Sequence, residues 1–191
     1  MKSISKLMPS PQKTKGSGFE REIAKYLSDI YGESFIRAPG SGAYVGGKNQ
    51  SRTQILHEGQ IRSFKGDIVP GESFPKFNAE CKFYSDFAFH LLLSGEHKVL
   101  DSWLEQLLAV ADPGDLNILF MKFNRIGRYV AVQCKFTWIT DNFFFYGSKR
   151  FGDWYIMEFD TFMKQNKDII KAYSGKSTDT TSPDSILTIS I

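Results

Sequence analysis

The sequence predicts an α/β or α+β domain in which helices flank a mixed central β-sheet. Apolar residues recur at helical spacing near the N-terminus and again after residue 97, whereas several short segments alternate apolar and polar residues as strands do. Turns rich in Gly and Pro separate these segments. With 191 residues, 41% of them hydrophobic and 24% charged, the chain has the size and composition of one globular domain.

The first third of the chain predicts one helix followed by short strands. A helix is expected over residues 18–31, because Phe19, Ile23 and Leu27 lie on one apolar stripe, with Ser17 as its N-cap and Gly32 after its end. Three strands and one long loop are expected next: strands over 34–37, 64–69 and 77–84, and a Gly-rich basic loop over 43–65.

The remainder predicts a second helix and further strands. Residues 98–111 carry a broad apolar face suited to packing on a sheet, and Asp112-Pro113-Gly114 ends that helix. Strands are then expected over 116–123, 129–136, 143–146 and 154–159, followed by a last helix over 160–172. Residues 17–173 are therefore the predicted domain, with a flexible basic arm over 1–16 and a disordered tail over 174–191.

The charge is unevenly distributed along the chain. Residues 1–65 hold eleven Lys and Arg against five Asp and Glu, a surplus of six, although the net charge of the whole chain is only +3. This asymmetry favours a polyanionic partner, and the alternative is a solvated face on a neutral protein.

The sequence also bears on location and on metal chemistry. It contains neither a membrane-spanning apolar run nor a signal-peptide core, so a cytoplasmic protein without membrane contact is expected. Cys81 and Cys134 lie in strand-like runs and are predicted to be free thiols rather than a disulfide. The three histidines lack the spacing of zinc ligands.

The most informative strand is 77–84. Alternation places Phe77, Ala79, Cys81 and Phe83 on one face, and Asn78, Glu80 and Lys82 on the other. The second face therefore presents a carboxylate beside an ammonium group. The simplest explanation is an ion pair facing solvent, which is common on antiparallel strands.

A lone carboxylate in the preceding predicted strand favours another explanation. Asp67 follows Gly66 in an otherwise apolar run, where an unpaired carboxylate needs a cation or backbone donors. Asp67 and Glu80, with the main-chain carbonyl of Cys81, would suffice for Mg²⁺, which prefers oxygen ligands and retains waters. Lys82 would then stabilise charge during phosphodiester hydrolysis.

These residues resemble a known signature. Asp67, followed after twelve residues by Glu80-Cys81-Lys82, resembles the PD-(D/E)XK nuclease motif, with Gly66 in place of the usual proline. The flanking segments 18–22 and 37–42 are similar to archaeal-type Holliday-junction resolvases and their phage relatives, over about residues 16–123. The resemblance implies a restriction-endonuclease-like core, a bacterial or archaeal host cell and a phage-related origin.

The resemblance also implies residue roles. Asp67 and Glu80 would be ligands of Mg²⁺, for which Mn²⁺ could substitute, Glu20 would complete the metal site, and Lys82 would be the catalytic lysine. Arg37 and Ser41 fall where such enzymes hold phosphate or a catalytic hydroxyl. Glu20 has a structural alternative, because Ser17-x-x-Glu20 also matches a helix capping box, and the Gly-Ser-Gly around Ser41 is also ordinary turn chemistry.

Further residues are candidates for DNA contact. The loop 43–65 is either a DNA-binding flap or a tolerated insertion, and the residues expected to bind DNA there are Lys48, Arg52, Arg62 and Lys65. Gln106 would face the site from the helix after the catalytic strand. The aromatic side chains between residues 136 and 159 are expected in the core or in a dimer interface, with base stacking as the alternative.

The site residues and the resemblance together predict a Mg²⁺-dependent, structure-selective DNA endonuclease, and the resemblance to junction resolvases implies a homodimer that acts on four-way junctions. One alternative retains the site with linear duplex, flap or single-stranded DNA as substrate. The other is a DNA-binding protein without hydrolytic activity.

Overall fold

The structure is a computed structural model, and it describes residues 11–39 and 65–175. The helices are α1 (Pro11–Tyr31), α2 (Lys98–Leu108) and α3 (Phe159–Ser174), with a 3-10 helix at Phe89–Ser94. The strands are β1 (Ile36–Arg37), β2 (Ile68–Val69), β3 (Phe77–Tyr84), β4 (Leu116–Phe123), β5 (Gly127–Gln133), β6 (Phe144–Ser148) and β7 (Gly152–Glu158).

Five strands form a mixed sheet in the order β3-β4-β5-β7-β6. β3 and β4 are parallel and are connected through α2, whereas the other neighbouring strands are antiparallel. β1 and β2 form a separate antiparallel pair beside β3. The amide of Asp67, just before β2, donates a 2.8 Å hydrogen bond to the Ala79 carbonyl of β3. The predicted mixed sheet flanked by helices, an α+β restriction-endonuclease-like core, is confirmed.

Apolar side chains fill both faces of this sheet. One core lies against α1 and α3 and includes Phe19, Ile23, Ala79 and Phe162. The other lies against α2 and the 3-10 helix, and Trp103 and Trp154 belong to it. β3 is therefore covered on both faces, and the polar face predicted for it is packed beneath α2 instead of exposed to solvent.

The N-terminal helix begins earlier than predicted. α1 starts at Pro11 instead of residue 18, so Ser17 lies inside the helix and the prediction of an N-cap at Ser17 is wrong; residues 11–16 of the predicted arm are helical. Proline fits the first turn of a helix, where its missing N–H has no helical partner. A Cβ at Gly16 or Gly18 would meet nothing within 4 Å, so these glycines face open space. Residues 1–10 of the arm lie outside the described residues, as do 176–191 of the tail.

Several strand and helix ends also differ from the prediction. Residues 65–67 form bends, so only Ile68–Val69 of the predicted strand 64–69 is a strand in the described residues. β5 begins at Gly127 and ends at Gln133, since the chain turns directly after it. α2 ends at Leu108 instead of residue 111, because Ala109 to Ala111 turn toward the Asp112-Pro113 segment. Both cysteines are free thiols, as predicted, and no helix of the described residues could cross a membrane.

Candidate active site

Asp67 lies beside the edge of β3, where the main chain of that strand orients it. Its Oδ2 accepts a 2.9 Å hydrogen bond from the Cys81 amide, and the side chain is 4% exposed. The preceding Gly66 has φ +66°, and a Cβ there would clash with the Ala79 carbonyl oxygen. Glycine is therefore required before Asp67, because only a residue without a side chain can pass this close to β3.

Glu80 and Lys82 project from the face of β3 that α2 covers. Lys82 Nζ donates a 2.6 Å hydrogen bond to Glu80 Oε1 and another, also 2.6 Å, to Gln106 Oε1 on α2. The Glu80 side chain is 5% exposed and the Lys82 side chain 18%. The pair is thus largely withdrawn from water, contrary to the simple explanation of a solvent-facing ion pair, and α2 supplies a second acceptor for the ammonium group.

Glu20 and Arg37 approach the same place from the opposite face. Glu20 is on α1, Arg37 is on β1, and Arg37 Nε donates to Glu20 Oε2 in a mostly buried ion pair. Ser17 and Glu20 both lie within the helix, so the capping-box alternative for Glu20 does not hold. The carboxylate of Glu20 is close enough to Asp67 to act on its ionisation.

These groups create a strongly negative local environment. Burial, and then the charge of Glu80, raise the pKa of Asp67 to about 7, and Glu20 adds to this effect. The Cys81 hydrogen bond and the Lys82 charge act in the opposite direction. Burial, followed by the same carboxylates, also raises the pKa of the Cys81 thiol, which is therefore a neutral core group. When all groups are ionised, the cluster has one excess negative charge. Its members are the carboxylates of Glu20, Asp67 and Glu80 and the cations of Arg37 and Lys82.

The donor set fits a hard divalent cation. Asp67 and Glu80 are buried carboxylates that oppose each other's ionisation, a conflict that a divalent cation would relieve. The Cys81 amide points toward Asp67, and since N–H and C=O of a strand residue project from the same edge, the Cys81 carbonyl is also directed there. No three His, Cys, Asp or Glu side chains among the described residues form a metal cage by themselves, so two carboxylates and this carbonyl are the set available.

The residues predicted to bind DNA are only partly within the described chain. Ser41, Lys48, Arg52 and Arg62 lie outside it. Lys65 Nζ is ion-paired with Asp112, at 2.8 Å, and with Asp115, and its side chain is 12% exposed. Its charge is therefore already balanced at the start of β4, and DNA contact by Lys65 stays a prediction.

The sequence interpretation missed two polar features next to the site. The Asn78 amide is fully buried and donates to the Leu107 carbonyl at 2.9 Å and to Asn117 Oδ1 at 2.7 Å, which ties β3 to the end of α2. The alternating pattern of β3, which places Asn78 on the same face as Glu80, could have indicated that Asn78 lies next to the site. Lys122 of β4 donates to Glu22 of α1 at 2.6 Å, a contact across one hundred residues that no local pattern indicates.

A glutamate from the first helix, an aspartate after a tight glycine and a Glu-x-Lys strand at the edge of a mixed sheet define the PD-(D/E)XK nuclease class. Within this class, the protein-family model described as "Phage putative PDDEXK endonuclease" matches residues 11–172. The chain belongs to this family of phage endonucleases. No curated protein and no solved structure is significantly similar to the chain.

Proposed function

We propose that this phage-family nuclease is a Mg²⁺-dependent, structure-selective DNA endonuclease that resolves four-way junctions as a homodimer. The observation that carries the catalytic part is the convergence of Asp67, Glu80 and Lys82 at one edge of β3. Members of the PD-(D/E)XK superfamily generally use divalent metals, which agrees with this set of oxygen ligands.

Asp67, Glu80 and the Cys81 carbonyl would hold the metal, with Glu20 as a further ligand or as a carboxylate that orients the others. When bound, a divalent cation supplies an activated water and charge stabilisation at the phosphate. Mn²⁺ would substitute for Mg²⁺ at such a site. The fold strengthens metal binding because it buries the carboxylates of Asp67 and Glu80. Away from solvent, they attract a cation more strongly than they would at an exposed surface.

Lys82 is the group best placed to act on substrate. Its ammonium is held by two acceptors, Glu80 and Gln106, which fixes Nζ while leaving one N–H for a water or a phosphate oxygen. Such an ammonium stabilises the negative charge that develops on the phosphate in the transition state. Gln106 acts through Lys82 and is therefore a positioning residue.

Arg37 would contact the phosphate backbone from the other side of the site. Its guanidinium donates to Glu20, and its side chain remains 31% exposed at the surface, where a phosphate of bound DNA would reach it. Ser41, Lys48, Arg52, Arg62 and Lys65 are proposed to extend this basic surface along the DNA.

Junction selectivity rests on the sequence similarity to junction resolvases and is tested directly. A labelled four-way junction is incubated with the protein and Mg²⁺, in competition with unlabelled linear duplex at increasing salt concentration. We expect paired symmetric nicks in the junction, and no products with Asp67→Ala or Glu80→Ala. Asp29→Asn, which changes an exposed carboxylate of α1, is the matched control and should cut as the wild type does.

The alternatives predict different results. Preferred cutting of linear duplex, flaps or single strands would retain the active site and overturn the junction assignment. Junction binding that is unaffected by Lys82→Ala, with no product at any divalent metal, would instead indicate a DNA-binding protein without hydrolytic activity.

A further inference from the structure

An exposed tyrosine follows the candidate catalytic lysine on β3. Tyr84 is two residues after Lys82, so both side chains project from the same face of the strand, about 6.6 Å apart along it. Trp103 of α2 contacts the Tyr84 ring, with centroids 4.9 Å apart. Gln106, one turn further along α2, accepts the hydrogen bond from Lys82. Tyr84 is nevertheless 46% exposed, so its ring is positioned by α2 and still open to solvent beside the site.

The turn between β4 and β5 adjoins this tyrosine. The Asn124 amide donates a 3.0 Å hydrogen bond to the Tyr84 carbonyl, which joins the turn to the end of β3. Arg125 and Ile126 form the tip of the turn, and both are exposed, Ile126 by 47%. Within the described part of the chain, Arg125 forms no ion pair. We call this surface the β3 tip: Tyr84, Arg125 and Ile126.

Arg125 has a backbone conformation that disfavours arginine. Its φ is +60°, and every other described residue with positive φ is a glycine. The Ile126 amide donates to the Phe123 carbonyl at 3.2 Å, so Arg125 is the third residue of a four-residue turn. At that position glycine or asparagine avoids the steric cost of a positive φ. An arginine retained there without a contact that stabilises the fold indicates that its side chain acts on a partner.

The chemistry and the position of the β3 tip fit DNA. Arginine binds phosphate oxygens, and aromatic rings stack on bases. The nearest acidic residue along the chain, Asp86, directs its carboxylate to the main-chain amide of Phe87 at 2.8 Å. The tip also continues the candidate active site, because Tyr84 follows Lys82 by about 6.6 Å, which corresponds to about two nucleotides at 3.4 Å each. A DNA strand with its scissile phosphate at Lys82 would therefore pass over the tip.

An exposed ring at this place would respond to the structure of the DNA. A paired base inside a linear duplex has both faces covered by its neighbours, so it cannot stack on a protein side chain. At a branch point the stacking is interrupted, and a base with a free face is available at the lowest cost. Tyr84 would therefore distinguish branched from linear DNA, whereas Arg125 would bind the phosphates of both.

We propose that the β3 tip holds the DNA strand beside the scissile phosphate and selects branched DNA. Tyr84 stacks on an unpaired base at the branch point, Arg125 binds a phosphate of the same strand, and Ile126 adds an apolar contact. The inference rests on the proposed function, since it names the residues that would select the proposed substrate.

Binding to a labelled four-way junction and to a linear duplex, both in EDTA so that neither is cut, tests the role of Tyr84. We expect Tyr84→Ala to weaken junction binding at least about fivefold and duplex binding less than about twofold. Tyr84→Phe retains the ring and should bind both DNAs as the wild type does. Phe143→Ala, at a ring that is also 46% exposed but lies next to β6, is the matched control and should change neither affinity.

Arg125→Gly separates a role in binding from a role in the fold. Loss of one phosphate contact should reduce the slope of log Kd against log salt concentration by about 0.9 for both DNAs. Because glycine adopts a φ of +60° without steric cost, the same variant should melt about 2–4 °C above the wild type. Arg150→Gly, on the β6–β7 turn at the opposite end of the sheet, is the control and should leave the salt slope unchanged.

Three results would overturn the proposal: unchanged junction binding by Tyr84→Ala, equal losses on junction and duplex, or an unchanged salt slope for Arg125→Gly. Tyr84→Leu, which still packs on Trp103, gives the answer if Tyr84→Ala does not fold. Cleavage in Mg²⁺ is measured separately. A wild type that cuts no DNA, while the variants show the expected binding losses, contradicts the proposed function alone. A wild type that cuts junctions, while both variants bind them as tightly as it does, contradicts the role of the β3 tip alone.

Discussion

The main-chain amide of Cys81 donates a hydrogen bond to Asp67 Oδ2 at 2.9 Å, while the Asp67 amide donates to the Ala79 carbonyl at 2.8 Å. Both contacts use the main chain of β3, so the orientation of this carboxylate does not depend on neighbouring side chains. The proposed metal ligand is thereby held in place before any metal arrives, at the cost of burying a carboxylate next to Glu80 and Glu20.

Replacing Asp67 by Asn should separate catalysis from stability. The amide oxygen can still accept the Cys81 hydrogen bond, but the charge needed for a metal ligand is lost, so cleavage should fall at least about a thousandfold. Without metal at pH 8, we expect Asp67→Asn to melt at a higher temperature than the wild type, because the buried negative charge at position 67, next to Glu80, is removed. Asp29→Asn should leave cleavage unaltered; a lower melting temperature for Asp67→Asn would contradict the account.

The pH dependence of stability should reveal the same group. The pKa of Asp67 is about 7 in the folded protein against 3.8 in the unfolded reference, so folding favours the protonated form. Its stabilising contribution is complete below about pH 4 and is lost as the pH rises through 7, at about 1.4 kcal/mol for each pKa unit. Urea unfolding in a chelator measures this, and the wild type should lose stability relative to Asp67→Asn over that interval. If the unfolding free energies of the wild type and of Asp67→Asn depend on pH in the same way, the pKa of Asp67 is not raised.

Gln106 should influence the rate through Lys82. We expect Gln106→Leu to lower kcat about tenfold with little change in KM, because it removes a contact that positions Lys82. Lys82→Met should lower kcat about 100- to 1000-fold, because it removes the charge itself. The double variant should be no slower than Lys82→Met, because both changes act on one group. Glu105→Ala, which affects an exposed neighbour paired with Arg150, is the control. Additive losses would contradict a role through Lys82.

Gly66 and Gly114 allow a matched test of the turn before Asp67. Both have positive φ, but a Cβ at Gly114 would meet nothing within 4 Å, whereas one at Gly66 would clash with β3. Gly114→Ala should therefore cost about 1–2 kcal/mol of unfolding free energy, the cost of the left-handed conformation. Gly66→Ala should cost clearly more and abolish cleavage. Equal losses in chemical denaturation would show that the close approach is unimportant.

The sequence was sufficient for the parts of the site that depend on local periodicity. Alternation along β3 correctly assigned Ala79 and Cys81 to the core and Glu80 to the opposite face. Asp67 was expected within a strand because it stands in an apolar run, but the positive φ of Gly66 bends the chain there. A turn fixed by the approach of another strand has no local signature beyond the glycine itself.

Contacts between distant segments could not be predicted. Lys65 lies in a basic stretch and is predicted to contact DNA, but its ion pairs with Asp112 and Asp115, which follow α2, had no local signal in the sequence. Ser17 had the spacing of an N-cap, but the helix continues to Pro11 because good helical residues flank the two glycines. In both cases the outcome depends on a tertiary arrangement or on competition between overlapping local signals.

Gly66 also bears on how related chains are to be found. Proline, which usually precedes this aspartate in the PD-(D/E)XK signature, has φ fixed near −65°, whereas Gly66 has φ +66°. The two residues are thus not interchangeable here, since each requires a different path of the chain into the aspartate. A genome survey that demands proline would therefore miss this chain, whereas a pattern that also accepts glycine before the aspartate, followed by the Glu-x-Lys strand, would find it.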